Sequence, residues 1–228
     1  IRDRYKYEAS SNKFVWFTTW DRALRNYYTD DYNYIPDPVV GNPYNTFVEF
    51  RSRKPGMANV DWGDGIKEQF PMTKVQGRDD YCIIFRSLAI QHRKNPNTTW
   101  WFRKEDGSQY VPVDNHAYAD GLDKERVITM TFTNDITYVQ TTRIMMVGFP
   151  ILDAPSIINL ILSITGYGNI TDIPKNRIRR SVNIEYITLN ELGVGTLTSI
   201  PDDWDRLTKL KGINLSLTAD FNDTESSN

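Results

Sequence analysis

The sequence predicts a mainly β protein: an antiparallel sandwich carrying an insertion, followed by a short solenoid of repeats. Three observations lead there. Between residues 45 and 140, apolar and polar side chains alternate with period two, as in strands that bury one face. The stretch VDWGDG, residues 60–65, ends one such run and supplies aspartate and glycine for a tight reversal. From residue 151 the alternation gives way to self-similarity at a period of 27 residues.

Residues 1–44 read as an aromatic-rich docking segment. Residues 1–50 hold 13 of the 29 aromatic residues, several of them in YYTDDYNYIPDPVVGNPY, where Asp, Asn, Pro and Gly argue against one regular element. Thr18 or Thr19 can cap a short helix through WDRALRNYY before those residues stop it. Such aromatic density suits either a loop wrapped over its own core or a docking surface, because Tyr and Trp also form interface centres. Trp16, Trp20, Tyr27 and Tyr28 are the docking candidates.

Residues 45–150 read as the sandwich. TFVEFRS sets Val48 and Phe50 against Glu49 and Arg51, and MANVDW sets Ala58, Val60 and Trp62 against Asn59 and Asp61. The GDG that follows reverses the chain, and IKEQF returns as the partner strand. A second hairpin is expected where TTWWFRK and QYVPV flank EDGS, and RVITMTF points Ile128, Met130 and Phe132 inward.

Composition narrows the function classes. With 27 Lys and Arg against 29 Asp and Glu, the net charge is −2, so no basic field attracts nucleic acid or anionic lipid. The single cysteine, Cys82, lies in the apolar run YCIIF, which precludes an intrachain disulfide or a cysteine-rich zinc site and marks it as a buried small hydrophobe. No apolar stretch approaches 20 residues, so no membrane-spanning helix is expected. The chain opens on Ile1 rather than methionine, which we read as the trace of a removed segment or of a longer polypeptide.

VDWGDG, then His116, Ala117, Tyr118 and Gly121, then RVITMTF, together resemble the PKD-like domains of surface proteins. Their pattern is a WGDG or FGDG hairpin, a later H-x-Y, a glycine, and a strand close to YTVTLT. The resemblance covers residues 45–140 and implies an immunoglobulin-like sandwich. The stretch Pro71–Asn115 departs from it, being longer than the usual connection and carrying strand candidates of its own, so it reads as an insertion at about residues 71–115.

The paired aspartates of VDWGDG also raise chemistry. As turn residues, Asp61 and Asp64 accept backbone N–H bonds while Gly63 and Gly65 reverse the chain around Trp62. As catalysts, they would have to flank a substrate at the spacing glycoside hydrolysis needs, which a tight turn does not offer. As a calcium loop, the stretch lacks a longer run of oxygen ligands. The structural reading is therefore adopted for Asp61, Trp62, Gly63, Asp64 and Gly65, and also for His116 and Tyr118, since no serine or cysteine nucleophile neighbours the histidine. No catalytic residue, metal site or cofactor is expected.

The last third carries the repeats. Ile157, Leu160 and Leu162 recur 27 residues on as Ile184, Ile187 and Leu189, then 26 further on as Leu210, Ile213 and Leu215. Ile173-Pro174 and Ile200-Pro201 form a second landmark with the same 27-residue offset. This L-x-x-L-x-L spacing is similar to leucine-rich repeats, expected over residues 151–218 with a polar tail at 219–228. A minimal stack must lean on the sandwich at one end, and its far end, without an evident cap, reads as frayed or continued.

A PKD-like sandwich leading into leucine-rich repeats resembles surface proteins of gut Bacteroidetes-type bacteria and the tail or fibre proteins of their phages. The resemblance implies a non-enzymatic structural or adhesion protein, first a virion tail or fibre component docking onto other protein subunits of an assembly. The alternative is a secreted or cell-surface adhesion module that binds host glycan or protein through the repeats or through Trp100 and Trp101. Either places the chain on a virion or outside the cell.

Overall fold

Period-two alternation emerges as strand pairing in two sheets. The computed structural model describes residues 12–19, 47–86, 103–113, 116, 125–144, 146, 148–164, 173–190 and 200–216. In chain order the strands are β1 (Asn12–Thr19), β2 (Phe47–Ser52), β3 (Met57–Asp61), β4 (Lys67–Pro71), β5 (Thr73–Lys74), β6 (Tyr81–Arg86), β7 (Glu125–Phe132), β8 (Ile136–Ile144), β9 (Gly148–Asp153), β10 (Asn159–Ile164), β11 (Tyr186–Asn190) and β12 (Gly212–Ser216). A 3-10 helix, Asp202–Arg206, precedes the last strand. The smaller sheet has the order β4-β3-β7-β1-β9, and the larger has β12-β11-β10-β8-β2-β6-β5.

The smaller sheet is antiparallel throughout, as is the larger one from β8 to β5. Their facing sides meet through aromatic rings. Phe50 of β2 lies 4.7 Å from Phe132 of β7 and 5.0 Å from Phe14 of β1, ring centre to ring centre. Val48, Ala58, Val60, Trp62, Ile128 and Met130 are buried in the same core, on the faces that the alternation assigned to them.

Three features correct or extend the sequence reading. First, β1 lies between β7 and β9, and its Trp16 is 1% exposed, 6.0 Å from Phe50. Trp16 is therefore core, the docking segment does not extend over residues 12–19, and Thr18 and Thr19 end a strand. Its aromatic neighbours along the chain hide this, because the partner strands lie more than 100 residues away, as in the pair Trp16 and Ile128. Second, β6 pairs directly with β2, so residues 81–86, within the stretch read as an insertion, form a strand of the larger sheet. Third, Glu49, assigned to a solvent face, is 3% exposed there, held by Arg51 Nε at 2.8 Å and Arg78 Nη1 at 2.5 Å. Burial of a carboxylate requires such partners.

Segment 103–113 covers the outer face of β6. The expected EDGS reversal is present, with Gly107 at φ +82° and an antiparallel bridge between Arg103 and Gln109. It brings Tyr110 over Cys82 and Ile84 in a small second core. Burial pushes the Cys82 thiol up to about 12.

Past β8 the pairing turns parallel, β8 to β10 to β11 to β12. The register aligns Val139, Leu160, Ile187 and Ile213 in one row and Thr141, Leu162, Leu189 and Leu215 in the next. Between these strands the chain crosses to the other layer, as β9, then residues 173–181, then the 3-10 helix. Equivalent positions on successive coils bond to one another. The Asn176 N–H donates to Asp203 at 2.7 Å, Arg180 pairs with Asp153, and Arg206 donates to the Arg179 carbonyl, each 27 residues apart. The sandwich and the coils share one core, running from Phe14 to Leu207, so the boundary expected at residue 150 does not separate two cores.

Candidate functional site

VDWGDG, the stretch that raised chemistry, forms a reversal tied at four points. Asp61 ends β3, and its carboxylate accepts from the Gly63 N–H at 3.0 Å. Asp64 repeats the pattern, accepting from the Ile66 N–H at 3.0 Å, and the Trp62 N–H bonds the Ile66 carbonyl. Gly63 and Gly65 have φ of +81° and +92°, values that side chains disfavour. Trp62 points into the core, 1% exposed, and its indole N–H donates to Glu68 at 2.7 Å.

His116 arrives from 52 residues along the chain. Its ring stacks on Trp62 at 5.2 Å with 12° between planes, and its Nε2 lies 2.6 Å from the second oxygen of Asp64. An ionised carboxylate only accepts, so the imidazole donates. Burial favours the neutral carboxyl at Asp64, but the His116 bond and the Ile66 N–H outweigh it and hold the group below the usual carboxylate range. Asp61 meets Lys67 at 3.3 Å on the exposed side.

A carboxylate that orients an imidazole is one half of a proton relay. Here the imidazole lies flat on an indole and its Nε2 is turned to the carboxylate, an arrangement that fastens segment 116 to the turn. Among the described residues, no group of three or more His, Cys, Asp and Glu side chains gathers to hold a metal ion.

Beside this turn an open groove of about 440 Å³ crosses the outer face of the smaller sheet. Asn59, Asp61, Lys67, Gln69, Thr129 and Thr131 line it, with Gln69 donating to Asn59 at 2.7 Å. Alternation placed Asn59, Asp61, Thr129 and Thr131 on the outer face and the GDG reversal placed IKEQF beside β3, but nothing local revealed that β7 flanks β3 on its other side.

Six of the nine repeat positions fall in one core. Ile157, Leu160, Leu162, Ile184, Ile187 and Leu189 are buried, Leu210 is partly buried, and Ile213 is 39% exposed. The backbone of Leu215 pairs in register with Leu189. Trp204 and Leu207, which the repeat pattern did not single out, are also buried there. Trp20, Tyr27, Tyr28, Trp100, Trp101 and Tyr118 lie outside the described residues. Comparison of the chain with protein-family models, with curated proteins and with solved structures finds no match in any of the three.

Proposed function

We propose that this chain is a non-enzymatic structural protein, a tail or fibre component of a virion of the kind found in phages of gut Bacteroidetes-type bacteria. In this reading the sandwich is PKD-like and residues 151–218 form a leucine-rich-repeat solenoid. One observation carries it: β8 is at once a strand of the antiparallel sandwich and the first rung of the parallel ladder. A sandwich that continues into coils through a shared strand and a shared core makes an extended scaffold without a hinge at the junction. The carboxylates of VDWGDG support the non-catalytic part, because each is spent on turn N–H groups and on His116 or Lys67. The test is fractionation of native source material on a density gradient, with this chain followed by peptide mass spectrometry. Co-migration with large particles at a fixed ratio to their other proteins is expected. Recovery only in soluble or membrane fractions removes the virion reading.

A second reading, a secreted or cell-surface adhesion module, draws on the outer face of the larger sheet. Tyr138, Asn159 and Tyr186 fall in one row there, Arg51 sits 4.0 Å over the Tyr138 ring, and Tyr186 is 47% exposed. Aromatic faces beside amides suit sugar rings. Binding in a glycan array that Tyr186→Ala abolishes would favour this reading over the first.

A further inference from the structure

We infer that the free edge of β12 is a self-association site, where a second copy of this chain pairs antiparallel about a two-fold axis at Asn214. Three observations carry the inference. The first is a contrast between successive coils. Ile173 is 3% exposed and its counterpart Ile200 is 42% exposed; Ile187 is 1% exposed and its counterpart Ile213 is 39% exposed. The inner residues are buried, whereas their counterparts leave the same kind of apolar surface exposed.

The second is how the other sheet edges are protected. An open edge offers unpaired N–H and C=O groups to any passing strand, and proteins blunt it with lysine, proline, shortness or a covering segment. β4 begins with Lys67 and ends with Pro71, and β5 is two residues long with Lys74. β9 is covered by the following segment, the Leu152 N–H donating to Arg177 at 2.6 Å. β12 contains neither lysine nor proline, and among the described residues no strand pairs with its outer side.

The third identifies the occupant. Gly212, Ile213, Asn214, Leu215 and Ser216 read the same in both directions by chemical class: small, apolar, amide, apolar, small. Antiparallel pairing centred on Asn214 sets Ile213 against Leu215 and Gly212 against Ser216, and faces the two amides, each of which carries donors and an acceptor. The apolar rows through Ile187 and Leu189 then run on into the partner's rows without a polar break. Lys211 of the two copies falls at opposite ends of the pair, so like charges stay apart. Two-fold pairing consumes both edges and closes at the dimer.

The test uses the full chain in sedimentation velocity with light scattering over about a hundredfold range of concentration, since self-association follows mass action. A reversible dimer is expected, and Ile213→Lys should weaken it at least tenfold while preserving the circular dichroism spectrum. Asn214→Cys should give a disulfide-linked dimer under mild oxidation, because facing residues of an antiparallel pair lie about 4.5–5.5 Å apart, within disulfide reach. Cys82, the one native thiol, is buried and cannot substitute for it. If Ile213→Lys does not fold, the Asn214→Cys cross-link decides alone. A wild-type chain that stays monomeric throughout overturns the proposal, as it would if the edge instead receives a coil of a different polypeptide. A dimer that Asn214→Cys fails to cross-link overturns it too, by placing the contact elsewhere.

Discussion

Alanine in place of Gly63 separates two costs that the WGDG turn imposes, because Gly65 supplies an internal control. Both glycines have positive φ, and a side chain in that region costs about 1–2 kcal/mol. They differ in surroundings. A Cβ on Gly65 meets nothing within 4 Å, whereas one on Gly63 would stand 2.5 Å from the Val127 carbonyl oxygen. That oxygen belongs to the backbone of β7, which pairs with β1 and β3 and cannot retreat without disturbing both. Gly65→Ala should therefore cost about 1 kcal/mol and Gly63→Ala about 3 kcal/mol or more. For a chain of this size each kcal/mol moves Tm by about 2–4 °C, so the expected drops are about 2–4 °C and 6–12 °C. Urea denaturation of both variants, with unchanged slopes, measures the difference directly. Equal losses would show that the approach to Val127 contributes nothing and that only backbone conformation selects glycine here.

The remaining predictions concern the turn's acid, the coil junction and the thiol. Because Asp64 has a depressed pKa in the folded protein, its contribution is present above the unfolded value of about 3.9 and is lost as pH falls through the folded value. Asp64→Asn should flatten the acid limb of the stability curve below about pH 4, and an unchanged limb would place the titration elsewhere. Ser181 is buried, and its hydroxyl accepts from the Ala154 N–H and donates to the Leu152 carbonyl, both at 2.9 Å. Ser181→Ala leaves both groups unpaired and should cost about 1–3 kcal/mol in urea denaturation. Cys82, buried and with its thiol pushed up to about 12, should resist alkylation at pH 8 in the native protein and react fully once denatured.

Much of the sandwich was legible because its signals are local. The alternation in MANVDW and RVITMTF requires only that one face be buried, and the glycines of VDWGDG require only a reversal. The matching register of β10, β11 and β12 was legible because a recurrence at 27 and then 26 residues compares the chain with itself. What escaped reading depended on strand order. Trp16 looked like one of many N-terminal aromatics until β7 and β9 enclosed it, and Glu49 looked like a solvent position until Arg78 reached across from beyond β4. His116 and Asp64 were each assigned a structural role, but their 2.6 Å contact joins positions 52 residues apart and no periodicity encodes it.

The 27-residue hydrogen bonds between coils have a consequence for how the chain acquires its structure. Each coil bonds to the one before it and pairs backbone groups of that earlier coil, as Ser181 does for Ala154 and Leu152 and Asp203 does for Asn176, so the sandwich acts as the template and the ladder grows outward from it. Cooperative order should be greatest at β8 and fall stepwise toward β12, a gradient that amide exchange would record as one protection tier per coil. The same polarity makes length easy to change: duplicating one coil at the tip lengthens the protein by a fixed step and leaves the residues nearer the sandwich with the neighbours they already had.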